Sequence, residues 1–289
     1  MIKIKKSRLL LVLYIAVILA FFLYWGFPSD GIKNYVAYQL SQISPQIEVT
    51  IDRIAPALPL GLRLYNVDLY HQEQVWGSFE NVKIRLRLFS LFGSQKAFTF
   101  TADAYAGQIK GNAEIETNSP IEQMAVDATL FDIQVQNVEA LQVVSDYNIS
   151  GILKGAFAFK SEARNQNLTG NLSLSDVRVE LTIPLFDQGY LTFNDVTANV
   201  VLKNNNLTIQ NCRLEGKQLD ASVTGSILLN RDFSRGVLNL DAMVTPHHML
   251  LAAVKEGLPF AFLKGAQGKD KGFKFKIRGT TDAPQFSLN

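Results

Sequence analysis

One cysteine, Cys212, in 289 residues excludes an intramolecular disulfide framework. A lone thiol is either a small buried side chain or a partner for a second chain. Histidine is as scarce, at His71, His247 and His248 only. His247 and His248 are adjacent, about 100° apart on a helix, and so lack the i,i+4 spacing of a zinc-binding helix. No HExxH, GxSxG, Walker or dinucleotide glycine pattern occurs. Carboxylates are scattered: Asp103, between Ala102 and Ala104, falls on the polar side of its segment with no second carboxylate at catalytic spacing. With no nucleophile–base pair and no metal set, the chain reads as a non-enzyme without cofactor or metal. The net charge is only +2, and much of that excess sits in the N-terminal flank, which argues against nucleic acid as a partner. Sequons at Asn148, Asn167, Asn171 and Asn206 lie in asparagine-rich turns and strands, where the pattern arises by chance.

Charge is absent altogether from Leu9 to Phe27 (LLLVLYIAVILAFFLYWGF). As a helix, that run of roughly 19 residues is about 28 Å long at ~1.5 Å per residue, enough to cross a bilayer core of ~30 Å. Lys3, Lys5, Lys6 and Arg8 stand on one side only, so the positive-inside bias keeps the N-terminus cytoplasmic and exports the rest. The run is longer than a signal-peptide core and ends in bulky Phe21, Phe22, Leu23, Tyr24 and Trp25, which predicts a retained single-pass anchor. The expected organisation is a basic flank over 1–8, an anchor over 9–27, an amphipathic helix over 28–45 and an exported β domain over 46–289.

After Ser29-Asp30, which supplies an N-cap, Ile32, Val36, Leu40 and Ile43 recur at helical spacing until Pro45. From Ile47 the period becomes two. Val82, Ile84, Leu86 and Leu88 alternate with Lys83, Arg85 and Arg87, the mark of a sheet with one apolar and one wet face. The pattern recurs at Phe98–Ala104, Leu153–Phe159, Leu168–Leu174, Leu219–Leu229 and Phe273–Ile277, and a last strand is expected at Gln285–Leu288. Turn clusters at Asn118–Pro120, Asn165–Asn167, Asn204–Asn206 and Asn230–Asp232 separate these segments. Short polar links imply antiparallel meanders, because parallel pairs need crossover helices. A single further helix is expected near Pro246–Gly257, followed by a polar connection over Gly265–Lys271. Glycines inside the pattern, at Gly107, Gly111, Gly151, Gly155, Gly170 and Gly225, mark bulges or bends that would curl the sheet. The expected class is mainly β: a long curled antiparallel sheet, either an open groove or a closed sandwich. In the groove form, Val82, Ile84, Leu86, Leu88, Phe98, Phe100, Phe157 and Phe159 are the candidate apolar lining. Lys83, Arg85 and Arg87 are candidate contacts for lipid headgroups or an acidic partner.

The order of features carries a resemblance. A basic-flanked anchor and a short helix precede Ile47–Ile51, Leu62-Arg-Leu-Tyr-Asn-Val-Asp-Leu69 and the alternating Val82–Leu88. Ala104-Tyr-Ala-Gly-Gln-Ile-Lys-Gly-Asn-Ala113 follows, and the chain closes with Ile277-Arg-Gly-Thr-Thr-Asp-Ala-Pro-Gln-Phe-Ser-Leu288. This order resembles the AsmA-like envelope proteins, and most closely their short members, the type II secretion system protein N family. The resemblance implies a Gram-negative inner-membrane protein with a periplasmic β domain, acting as an accessory or structural component of type II secretion beside other components of that machine. The alternative it implies is a lipid-binding or phospholipid-transfer module with an apolar β groove.

Overall fold

The computed structural model describes residues 11, 14, 15, 18, 24–43, 47–58, 60–71, 74–116, 123–139, 141, 148–162, 165–185, 188–229, 236–247 and 272–288. The chain clusters into two compact units, Met1–Arg85 and Leu86–Asn289. Most of the expected anchor lies outside the described residues. Leu11, Tyr14, Ile15, Ile18, Tyr24 and Trp25 are helical and exposed. No helix among the described residues is long and apolar enough to cross a membrane.

The first unit is built on α1 (Ser29–Ile43) and the antiparallel strands β1 (Ile47–Ala57), β2 (Gly61–His71) and β3 (Gln74–Leu86). Asp30 in the first turn of α1 complements the positive end of the helix dipole. Ile51, Ile54, Leu64 and Val67 form the buried cluster, and Phe27, Ile32 and Val36 cover it from the helical side. Ile51 and Ile54 differ in parity, yet both point inward because Asn66 adopts φ 48° opposite Asp52, and the strand pair changes face there without losing register. Asn66 Nδ2 donates to Asp52 Oδ2 at 3.4 Å across that kink.

The second unit carries β4 (Gln95–Ala104), β5 (Gly107–Glu116), β6 (Gln123–Gln134), β7 (Ile149–Glu162) and β8 (Asn165–Leu185). It continues with β9 (Gln188–Lys203), β10 (Asn206–Gly216), β11 (Leu219–Leu228), β12 (Val237–Pro246), β13 (Phe273–Gly279) and β14 (Pro284–Leu288). Each strand pairs antiparallel with its neighbour in sequence, so the meander predicted from short polar links is what the chain forms. β14 pairs only with β13 among the described residues, leaving a sheet edge.

Several boundaries differ from the sequence reading. The alternation through Leu88 stops at Leu86, and Leu88 opens a 3-10 helix that runs to Phe92. Asn165–Asn167 begins β8 instead of forming a turn, because these residues pair with Glu162, Ser161 and Lys160 of β7. Pro246 does not start a helix: it ends β12 opposite Leu219 at an extended position that proline tolerates. His247 is not helical, and residues 248–257 of the expected helix, the 265–271 connection and the 118–120 and 230–232 turns lie outside the described residues.

Candidate functional site: an apolar sheet face

Residues directly opposite one another in an antiparallel pair share a face, so the registers trace single rows across the second unit. One row reads Phe100, Gly111, Ala128, Phe157, Gly170, Val200, Ile209, Gly225, Leu240, Ile277 and Phe286, one residue from every strand. The row beside it reads Phe98, Ala113, Val126, Phe159, Leu168, Leu202, Leu207, Ile227 and Leu238. Neither contains a polar side chain. At ~4.8 Å between neighbours, the first row spans about 50 Å measured along the sheet. The next row outward from Phe98 brings in the first polar groups, Lys96, Ser161 and Gln166, beside Ile115 and Met124.

Three local irregularities keep this face apolar. In β6 the inward series Val126, Ala128, Leu130 switches parity to Ile133 across Asp132, which takes φ 51°. In β8 it switches from Leu174 to Val177 across Asp176, at φ 53°. In β10 it switches from Ile209 to Cys212 through a bulge. Asp tolerates the left-handed region better than a branched side chain, which suits it to both positive-φ sites. Without these switches the second half of each strand would turn its apolar set to solvent.

Relief on the face alternates between rings and glycines. A Cβ on Gly111 would collide with the Phe100 ring, and one on Gly170 would sit 2.8 Å from Phe157 Cδ1 and 3.1 Å from Val200 Cγ2. Both rings therefore lie down over a neighbouring glycine, each close approach requiring that the glycine have no side chain. The rings at Phe98, Phe100, Phe157 and Phe159 are only half-buried. A second layer packed on them would bury them completely, and no second sheet occurs among the described residues.

The opposite face is hydrophilic. Thr99, Thr101, Lys110, Asn112, Asp127, Thr129 and Thr169 surround a shallow hollow of about 490 Å³ on it. Lys110 Nζ stands 5.3 Å from the centre of the Phe131 ring. Among the described residues, no group of His, Cys, Asp or Glu is placed to hold a metal ion.

The candidate lining residues separate into two sets. Phe98, Phe100, Phe157 and Phe159 share the apolar face of the second unit. Val82 and Ile84 pack against the cluster of the first unit, Leu86 ends β3, and Leu88 is exposed on the 3-10 helix. Of the cationic candidates, Lys83 and Arg85 lie on the first unit's hydrophilic face, while Arg87 donates to Asn112 Oδ1 at 2.9 Å within the second. Sequence reading missed the inward residues beyond each parity switch, such as Ile133, Val177 and Leu214. In β6 and β8 the aspartates at the switches were the available signal.

Cys212 stands on the apolar face between Ala198 and Val223, where burial pushes its thiol pKa up and disfavours the reactive thiolate. His247, just past β12, holds a polar clasp at one end of the β11–β12 pair. Its Nε2 lies 2.9 Å from Asp220 Oδ2 and its Nδ1 3.1 Å from the Lys217 carbonyl oxygen. The Asp220 hydrogen bond is the main cause of a raised His247 pKa, and the reciprocal bond is the main cause of a lowered Asp220 pKa. His248 lies outside the described residues.

Comparison of the whole chain with protein-family models, with curated proteins and with solved structures finds no match in any of the three.

Proposed function

We propose that the second unit binds the acyl chains of lipid on its apolar sheet face. The observation that carries this reading is the unbroken apolar row from Phe100 to Phe286, on a face where Phe98, Phe100, Phe157 and Phe159 are only partly buried. Large contiguous apolar faces on folded proteins mark binding sites, and the longer row here runs across all eleven strands of the unit. Its chemistry selects the occupant. A protein partner would be met by a polar rim with hydrogen bonds around an apolar centre. Here two adjacent rows offer no donor, acceptor or charge, which suits a hydrocarbon chain able to lie in any register. Polar Lys96, Ser161 and Gln166 at the margin suit a headgroup. The uncharged Leu9–Phe27 run would tether this module to the bilayer that supplies its ligand, with the β domain on the periplasmic side of a bacterial inner membrane.

Site-specific photocrosslinking in the full-length protein tests the reading. A benzophenone amino acid in place of Phe157 should capture phospholipid acyl chains, and one in place of Ala158, on the opposite face, should not. Equal capture at both positions, or none at Phe157, would refute lipid binding on this face.

A second reading, an accessory role in assembling type II secretion components, is favoured by one observation. All five residues of β14 are exposed, and its outer edge lacks a strand partner among the described residues. Such an edge accepts a strand from another protein. Cysteine crosslinking from Ser287 in cells should then trap a secretion component; recovery of the uncrosslinked chain alone would dismiss this role.

A further inference from the structure

The first unit concentrates positive charge and exposed hydrocarbon at one end. On its hydrophilic face Arg53 stands opposite Tyr65, Arg63 stands opposite both Ala55 and Lys83, and Arg85 stands opposite Gly61. Arg53 and Arg63 flank the Tyr65 ring, with Arg53 Cζ 4.3 Å from its centre and Arg63 Nη1 donating to its hydroxyl at 3.4 Å. The acidic groups of this sheet, Glu48, Asp52, Asp68 and Glu80, lie toward the other end or beside the kink, and Asp68 is engaged by the Ser78 hydroxyl at 2.6 Å. No acidic side chain pairs with Arg63, Lys83 or Arg85 among the described residues. Like charges placed directly opposite, as Arg63 and Lys83 are, weaken a strand pair. Without an anion their juxtaposition costs stability, and with one it becomes a binding surface.

Two further observations fall at the same end. The β1–β2 hairpin carries Leu58 and Leu60, 67% and 46% exposed, immediately beyond the cationic residues. Helix α1 ends four residues before β1 begins, and Lys33 Nζ donates to the Asp52 carbonyl oxygen at 3.1 Å, so the helix runs back along β1 toward the hairpin. Phe27, where the uncharged N-terminal run ends, packs against the cluster of Ile51, Ile54, Leu64 and Val67, on which Leu62 and Ile84 from the hairpin end also pack. Exposed apolar side chains next to cations, in the unit that follows a membrane-length apolar run in sequence, match the depth profile of a bilayer: hydrocarbon first, then phosphate.

We infer that this rim of the first unit docks on an anionic bilayer, with Leu58 and Leu60 entering the acyl boundary and Arg63, Lys83 and Arg85 meeting lipid phosphates. The occupant is a membrane surface and not a soluble phosphate, because a free anion would leave the two leucines in water. The surface is distinct from the acyl-binding face of the second unit and does not depend on it. Docking would hold the first unit in one orientation on the bilayer, which attachment at a single point cannot do.

The test uses the full-length chain with Cys212→Ala, labelled with an environment-sensitive fluorophore through Leu58→Cys and, as control, through Glu48→Cys. It is reconstituted in vesicles of phosphatidylcholine alone or with about one-third phosphatidylglycerol, a charge density that attracts basic segments. In the anionic vesicles the label at 58 should shift to shorter emission wavelength and be quenched by brominated lipid, while the label at 48 stays aqueous. Each of Lys83→Gln and Arg85→Gln should weaken docking about five-fold, and high salt should release the label in the unsubstituted background. The salt arm reads out even if a charge variant folds poorly. Equal quenching at 58 and 48, or equal depth in neutral and anionic vesicles with no response to salt, would overturn the inference. The first result leaves no oriented rim, and the second leaves only the tether. Neither bears on photocrosslinking at Phe157, so the two proposals fail separately.

Discussion

Gly170→Ala isolates the packing that shapes the apolar face. The new Cβ would stand 2.8 and 2.9 Å from Phe157 Cδ1 and Cε1, and 3.1 Å from Val200 Cγ2. Carbon atoms rest at about 3.5–4.0 Å, so the ring must lift by roughly 0.7 Å or more. Crowding of this kind costs about 1–3 kcal/mol in a packed interior. Two ring atoms are crowded at once, which places the cost near the middle of that range, about 2 kcal/mol. Against it stands the reduced freedom of the unfolded chain when glycine becomes alanine, which contributes about 0.4–1 kcal/mol. The expected net loss is about 1 kcal/mol. In a Phe157→Ala background the ring contacts are gone and only Val200 Cγ2 at 3.1 Å remains, so Gly170→Ala should there be near neutral, with a coupling of about 1 kcal/mol or more between the two sites.

The assay must report on the second unit. Trp25 and Trp76 both belong to the first, so their fluorescence is blind to it. Native-state hydrogen exchange of β7–β9 amides in the full-length protein reads the local opening free energy directly. Gly170→Ala should lower protection there about five-fold, the equivalent of about 1 kcal/mol at ~1.4 kcal/mol per tenfold. The lifted ring should also reduce acyl capture. Equal protection in both proteins, or the same loss with and without the Phe157 ring, would show that the ring does not lie over Gly170 in solution.

Gly225→Ala should be far more damaging, by about 3 kcal/mol or more, because Gly225 sits at φ 135° with its would-be Cβ against the Asn239 carbonyl oxygen, where backbone must move; loss of protection in β11–β12 checks this. Asp176→Gly should leave stability within about 0.5 kcal/mol, whereas Asp176→Val should lose about 1–2 kcal/mol, since a branched side chain resists φ 53°; hydrogen exchange in β8 discriminates the two. The raised His247 pKa means that its clasp stabilises the fold fully below the ordinary histidine value of 6.5 and is lost as pH rises through the higher folded-state value. The lowered Asp220 pKa adds stability above 3.8 that is lost as pH falls through the depressed folded-state value. Between those limits the exposed pair should contribute no more than about 1 kcal/mol, and a histidine NMR titration whose midpoint does not fall with Asp220→Asn would contradict it. Ile54→Ala should cost about 2–5 kcal/mol in the first unit, where Ile54 is 2% exposed, and tryptophan fluorescence from Trp76 during denaturation follows it.

Much of the architecture was legible from alternation. Segments such as Phe98–Ala104 and Leu153–Phe159 fall within observed strands, because strict period two has one physical meaning when one face is wet and the other dry. The reading ran short where parity changed. Val126, Ala128, Leu130 and then Ile133 does not scan as one strand until Asp132 is allowed a positive φ, and aspartate's tolerance of that region is the one local sign of it. The Val82–Leu88 segment shows a different limit. Its pattern was the cleanest in the chain, but alternation says only that a face is apolar and not what covers it. For Val82 and Ile84 the cover is the cluster beneath α1.

The same distinction separates the two units in function. In the first, an apolar sheet face is satisfied by Phe27, Ile32 and Val36, so what remains to interact is its hydrophilic side and its hairpin rim. In the second, eleven strands carry an apolar face with no described layer upon it, while their hydrophilic side is an ordinary solvated surface with a shallow hollow. Burial sustains folded proteins through roughly 25 cal/mol per Å² of apolar surface removed from water, so a face left half-covered forgoes stabilisation that an occupant can restore. An occupant that binds the folded sheet and not the unfolded chain must raise its stability by mass action. Delipidated protein should therefore lose exchange protection along β4–β14 and keep it in β1–β3. Uniform loss in both units would mean that the apolar face is not where lipid acts.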